Sequence, residues 1–205
     1  MDIFGDYLLP FLKEKDFNFH LRDQEKTRND VAPCVGPQTG RLLAFLIYTL
    51  NAKNVLEIGA CQGYSALWLA EALQKTGGHL TTLDINEQTF PEAKANIAKA
   101  GFTNVTFLEQ DALTILPSFE TGSFDLILQD SAKGLYSEML EDCIRLLRLG
   151  GILISDDILF KPLGKRASIA DAIHNYNLKL TDEKRLYTTF LTIGDGVALS
   201  LKIKE

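Results

Sequence analysis

Residues 55–70 read VLEIGACQGYSALWLA, and three kinds of pattern meet in them. Lys53–Ile58 is a short apolar run interrupted by Glu57, as expected of a strand buried on both faces. The glycines of Gly59-Ala60-Cys61-Gln62-Gly63 let the backbone turn sharply and let a ligand approach it closely. Over Tyr64–Lys75 the apolar residues recur at helical spacing, with Leu67, Ala70 and Leu73 on one face, and Gly77-Gly78 close the helix. A strand, a glycine turn and a helix in succession predict the opening unit of a parallel α/β sheet.

The alternation continues downstream. His79–Asp84 reads as a second strand. A helix follows with Pro91 near its start and Gly101 just past its end, both favoured places. Asn104–Leu108 and Phe124–Gln129 are the third and fourth strands. A helix over Ser137–Leu149 carries Leu140, Cys143 and Leu147 on one face and stops at Gly150-Gly151, before the fifth strand, Ile152–Ser155. A helix over about 166–179 leads into two β-rich runs, Arg185–Ile193 and Val197–Ile203, joined by the turn Gly194-Asp195-Gly196. The expected fold is α/β: a Rossmann-like three-layer sandwich whose mostly parallel seven-stranded sheet ends in an antiparallel hairpin. Upstream, amphipathic helices at roughly 2–14 and 37–50 flank a polar loop, making residues 1–50 a helical cap on a single domain spanning 1–205. Open sheets of this kind bind ligands outside the carboxyl ends of their strands.

Composition narrows the function classes. The 205 residues are 46% hydrophobic and 23% charged, the make-up of a soluble globular protein. Apolar runs such as Leu42–Leu50 are too short to span a bilayer, and Met1-Asp2-Ile3-Phe4 lacks the basic start of a secretory signal. No membrane partner and a cytoplasmic location are expected. Cys34, Cys61 and Cys143 form no C-x-x-C pair and are expected to be free thiols; with His20, His79 and His174 scattered, no zinc set is offered. The net charge of −6 argues against a dedicated nucleic-acid binder. One local exception is the stretch 161–185, where Lys161, Lys165, Arg166, Lys179, Lys184 and Arg185 outnumber Asp171, Asp182 and Glu183.

Chemistry-bearing residues gather at the strand ends. The second strand ends in Asp84, 21 residues beyond Gly63, where an acid can accept two hydrogen bonds from a ribose diol. The glycine loop lacks the third glycine of the dinucleotide fingerprint, so a nucleoside without phosphates, S-adenosylmethionine, fits better. The fourth strand ends in Asp130 and the fifth in Asp156-Asp157. Neighbouring strand ends lie about 5 Å apart, so three carboxylates converge. With no histidine or thiol beside them they select a hard divalent cation, Mg²⁺, with Mn²⁺ or Ca²⁺ as alternatives. Lys133, three residues past Asp130, is placed to accept a proton, since burial and a nearby cation both depress a lysine pKa.

VLEIGACQGYSALWLA resembles motif I of the metal-dependent O-methyltransferases, the family of catechol and caffeoyl-coenzyme A O-methyltransferases and their bacterial relatives. The likeness extends from about Val35-Gly36 to the final IGDGVALSLK. It implies that Val35, Glu57, Gly59, Cys61, Tyr64 and Ser65 line the methionine end and the loop. It also implies that Asp84 and Ile85 take the ribose and adenine, and that Asp111-Ala112 lie beside the adenine ring. By the same resemblance Asp130, Asp156 and Asp157 are metal ligands, Asp130 also faces the cofactor, and Lys133 is the general base. Asp157 stands where the family usually has Asn.

The implied acceptor is a small vicinal dihydroxy aromatic. The insertion that cradles acyl-coenzyme A substrates in plant members is short or absent after DDILFKPLGKR. Thr189 stands near the place of the acid that holds the second catechol oxygen in the animal enzyme. SAKGLY, DDILFKP and HNYNLKL also resemble bacterial members that methylate 5-hydroxyuridine at the tRNA wobble position, which makes tRNA the alternative acceptor. A cofactor-binding protein without catalysis is the further alternative. Bacterial and plant members are commonly dimers, and the apolar face of Ile3, Phe4, Tyr7, Leu8, Phe11 and Leu12 suits a homodimer.

Overall fold

Seven strands form one sheet in the order β3-β2-β1-β4-β5-β7-β6. The computed structural model describes residues 3–205, so the expected helical position of residue 2 and the side chains of Ile3 and Phe4 lie outside the described ones. The chain runs α1 (Ile3–Leu12), α2 (Asp16–Gln24), α3 (Gly36–Leu50), β1 (Asn54–Ile58), α4 (Tyr64–Thr76), β2 (His79–Asp84), α5 (Phe90–Lys99) and β3 (Val105–Glu109). It continues through α6 (Ala112–Ile115), β4 (Phe124–Gln129), α7 (Tyr136–Leu146), β5 (Leu147–Asp156), α8 (Ala167–Asp182), β6 (Leu186–Leu191) and β7 (Val197–Lys202). Strands β1 to β5 pair in parallel, and β7 and β6 pair antiparallel at the end of the sheet, as the sequence predicts. No helix among the described residues is long and apolar enough to cross a membrane.

Alternation along each strand divides the core into two layers. Val55, Leu80, Leu126, Leu128 and Ile154 pack with α3 and α4 on one face, against Leu43, Ile47, Leu67 and Leu73. Leu56, Ile58, Ile127 and Leu153 point the other way, to Met139, Cys143, Ile173 and Tyr176 of α7 and α8. The first layer is tight enough that a Cβ on Gly40 of α3 would collide with the Trp68 indole of α4.

Two expectations are corrected. The helix expected over 137–149 ends at Leu146, and Leu147 turns extended at ψ 135° to begin a ten-residue β5. Leu147 is buried in this strand, pairs with Phe124, and gives its carbonyl to the buried Lys202 ammonium at 2.9 Å. Its apolar side chain therefore fits a helical stripe and a strand equally well. The polar loop expected before α3 holds a second helix, α2. It buries only Asn18 and Leu21, so its sequence carries almost no apolar stripe.

Asp125, at the start of β4, fastens three segments. Its carboxylate accepts the N–H groups of Lys53 at 2.7 Å and Asn54 at 2.8 Å and the Arg148 guanidinium at 2.5 Å. Burial alone would raise its pKa, but these donors outweigh burial and hold it below the ordinary carboxylate range. A carboxylate held down in the native state stabilises the fold at neutral pH and loses that contribution as acid takes the pH through the depressed value. Asp125→Ala is expected to cost about 2 kcal/mol at neutral pH in urea unfolding, a gap that closes below about pH 4.

Candidate active site

A cavity of about 800 Å³ opens at the carboxyl ends of β1 and β4, where the strand order reverses. It is lined by Val35, Gly59, Cys61, Tyr64, Ser65, Asp84, Ile85, Asp111, Ala112, Asp130, Lys133, Asp156 and Asp157. Sequence reasoning had singled out all of these, and the fold brings them into one space.

The glycine loop shapes the first half of the cavity. Gly59 has φ +101°, and a Cβ there would strike the backbone carbonyl of Asp130 on the adjacent strand. Cys61 takes φ +47°, and its N–H donates to Asp84 Oδ2 at 2.7 Å, while the N–H of Asn86 donates to Asp84 Oδ1 at 2.8 Å. Two backbone donors thus fix the carboxylate plane at the cavity wall, and each oxygen keeps accepting capacity. Asp111 caps α6 by accepting the N–H of Leu113 at 3.0 Å, and Ile85 lies exposed at the rim.

Glu57 is the exception among the expected cofactor residues. It shares the strand face of Val55, is fully buried, and does not line the cavity. Its cross-strand partner Thr82 donates a hydroxyl to Oε2 at 2.5 Å. Burial raises its pKa to about 7, against the opposing hydrogen bonds of Ser65 and Thr82. Thr189, expected near the acceptor, is exposed on β6 and also lies outside the cavity.

The second half is electrostatic. Asp130, Asp156 and Asp157 each offer an oxygen, and the three atoms lie within 4.8 Å of one another. Asp157 adopts φ +65°, a left-handed conformation in which Asn and Asp are enriched. Lys133 Nζ lies 2.5 Å from Asp130 Oδ1 and 2.9 Å from Asp157 Oδ2. Burial works to lower the lysine pKa, but Asp130, Tyr136 and Asp157 outweigh it and hold Lys133 charged, well above its ordinary range. The depression expected from sequence included a nearby cation; among the protein's own groups the carboxylates outweigh burial. One ammonium does not neutralise three carboxylates. Burial and the charges of Asp130 and Asp157 push Asp156 well above the usual carboxylate range. An all-oxygen set that resists its own ionisation suits a divalent cation.

Sequence reasoning missed part of the wall. Phe160, Lys165 and Asp195 also line the cavity, with Lys165 paired to Asp195 at 2.8 Å. Tyr136, three residues beyond Lys133, places its hydroxyl 3.0 Å from Nζ, and only that i, i+3 spacing signalled it. Half of the cations in the basic stretch are paired: Lys161 with Asp171, Lys165 with Asp195, and Arg185 with Glu141 and Glu183, while Arg166, Lys179 and Lys184 stay exposed.

The O-methyltransferase family model matches residues 14–203. The chain belongs to that family. It is, in class, an S-adenosylmethionine-dependent O-methyltransferase. A catechol O-methyltransferase from Niastella koreensis is 36% identical over 129 residues, covering 61% of this chain and 58% of that enzyme, less than two thirds of its length. A solved structure from Staphylococcus aureus superposes with a TM-score of 0.87 at 30% identity, over 98% of this chain and all of that one. The O-methyltransferase TomG from Streptomyces achromogenes, solved with S-adenosylmethionine, gives 0.84 at 25% identity over 97% of this chain and 94% of its own.

The buried Glu57 makes a test independent of turnover. Its native pKa of about 7 lies above the ordinary 4.5, so the native state binds the extra proton and loses stability as pH rises through that window. Glu57→Gln is expected to abolish this loss, worth about 3 kcal/mol at most. Thermal melts of both proteins between pH 5 and 8 check it: the variant should decline less than wild type, by the Glu57 share.

Proposed function

We propose that this O-methyltransferase methylates one hydroxyl of a small vicinal dihydroxy aromatic, with a divalent cation held by Asp130, Asp156 and Asp157. The observation that carries the reading is that these carboxylates and Lys133 share one cavity with the glycine loop and Asp84. When bound, S-adenosylmethionine supplies a sulfonium methyl, which the acceptor oxygen captures as the carbon–sulfur bond breaks, leaving S-adenosylhomocysteine. A cation held by Asp130, Asp156 and Asp157 would supply Lewis acidity toward the acceptor oxygens.

The chain's own residues do the rest. Asp84 orients the ribose and the Gly59–Gly63 loop receives the methionine end, with Ile85, Asp111 and Ala112 about the adenine. Lys133, once neutral, takes the acceptor hydroxyl proton on Nζ. Leu135, Met139 and Phe160 give the cavity an apolar wall suited to a flat ring. The net charge of −6 and the pairing of Lys161, Lys165 and Arg185 support the small acceptor over tRNA, against which the exposed Arg166, Lys179 and Lys184 weigh. Three free thiols fit a cytoplasmic site of action.

The deciding experiment offers labelled S-adenosylmethionine with a catechol panel or with unmodified tRNA, each with Mg²⁺ and with chelator. Catechol methylation that the chelator stops is expected. Methylation of tRNA alone, or indifference to the chelator, overturns the reading. Asp157→Asn keeps a residue suited to φ +65° but removes one charge, so it is expected to raise the Mg²⁺ concentration needed for half-maximal activity by about tenfold. Exposed Tyr7 and Phe11 of α1 and Phe45 and Tyr48 of α3 support a homodimer, for which sedimentation should return the mass of two chains.

A further inference from the structure

We infer that Tyr136 is a positioning residue whose hydroxyl holds Lys133 Nζ in place for proton transfer. The inference rests on the proposed role of Lys133. An ammonium has three N–H donors, and three acceptors meet this one: Asp130 Oδ1 at 2.5 Å, Asp157 Oδ2 at 2.9 Å and Tyr136 Oη at 3.0 Å. Two of them are carboxylates that the proposed cation would also claim. The phenol is neutral and is the one partner of the three that the cation leaves to the lysine.

Tyr136 is built to hold still. It is fully buried, and its ring meets Tyr176 edge-on at 5.2 Å and 75°. Its hydroxyl donates to the Gln129 carbonyl at 2.8 Å and also lies 3.3 Å from the Asp156 carbonyl. Those carbonyls end β4 and β5, so the hydroxyl is referenced to the same backbone that projects Asp130 and Asp156. With its single proton directed at a carbonyl, the oxygen turns its lone pairs to Nζ. The spacing follows from the helix start: Lys133–Leu135 is a 3₁₀ turn leading directly into α7 at Tyr136, which sets the two side chains over one another. A base displaced by about 1 Å costs on the order of 100-fold in rate.

The test compares Tyr136→Phe, Tyr176→Phe and Lys133→Ala with wild type. Tyr176→Phe serves as the control: it removes a hydroxyl from the same buried network, bonded to Ser155 at 2.7 Å and Gln129 Oε1 at 2.8 Å, without touching Nζ. Tyr136→Phe is expected to lower kcat about 10- to 100-fold, with KM for donor and acceptor within about threefold. Tyr176→Phe is expected to keep kcat within about threefold, and Tyr136→Phe should add no loss in the Lys133→Ala background. A metal-free crystal structure of Tyr136→Phe should show Nζ displaced. Wild-type kcat in Tyr136→Phe, an equal loss in Tyr176→Phe, or an unmoved Nζ overturns the inference. Full turnover in Lys133→Ala instead sinks the underlying role of the lysine, whatever Tyr136→Phe does. Should Tyr136→Phe not fold, Tyr136→His keeps a ring with a polar atom; reduced kcat at unchanged KM supports the inference and wild-type kcat refutes it.

Discussion

Crowding of like charge at the ends of β4 and β5 is the constraint around which the active centre is organised. Three carboxylates and one ammonium leave an excess of negative charge in a corner where Asp156 is only 5% exposed. Charges of one sign at such separations repel by several kcal/mol in a partly dry medium. The fold answers with Lys133, gripped from two sides, and with a left-handed Asp157 that turns its carboxylate to the lysine. The remaining strain falls on Asp156, whose ionisation burial and its neighbours oppose. Crowding of this kind is the property that the proposed cation would relieve.

The sheet fixes how this charged corner stands to the cofactor loop. Ile58 of β1 is in register with Gln129 of β4, and Gln129 with Ser155 of β5. The next residues are therefore Gly59, Asp130 and Asp156, side by side at the cavity floor. Gly59 does two jobs at once. It makes the turn that opens the loop, and it leaves room for the Asp130 carbonyl, which any side chain would strike. The glycine loop and the Asp130 carboxylate therefore leave neighbouring strands, and strand pairing sets their spacing.

Where periodicity and chemistry pointed to the same residues, the sequence was legible. The strand ends carrying Asp84, Asp130 and Asp156 lie where alternation put them, because residues buried on both faces leave no competing reading. Boundaries failed where a residue is buried under either assignment, as Leu147 is. Motif resemblance gave the place of Glu57 in the chain but not its depth: it is fully buried behind the cavity wall, with its carboxylate on Thr82 and beside Ser65. Sequence supplies neighbours without distances, so it did not show that two carboxylates lie within 3 Å of Lys133 Nζ.

The illegible helix α2 shows what kind of information periodicity omits. Its attachment is polar: Asn18 donates to the Tyr64 carbonyl at 3.1 Å, and Glu14, just before it, accepts the Tyr64 hydroxyl at 2.6 Å while paired with Arg22. Beyond it, Glu25 takes the N–H of Cys34 at 2.6 Å, and Arg28 bridges Asp30 to Glu92 of α5. Asp30, Cys34 and Val35 line the cavity, so this segment forms one of its walls. Hydrogen bonds and solvent-screened ion pairs of this sort individually add little, far less than a buried apolar helix contributes. The part of the chain with the weakest apolar signal thus borders the cavity, and polar contacts rather than an apolar stripe hold it there.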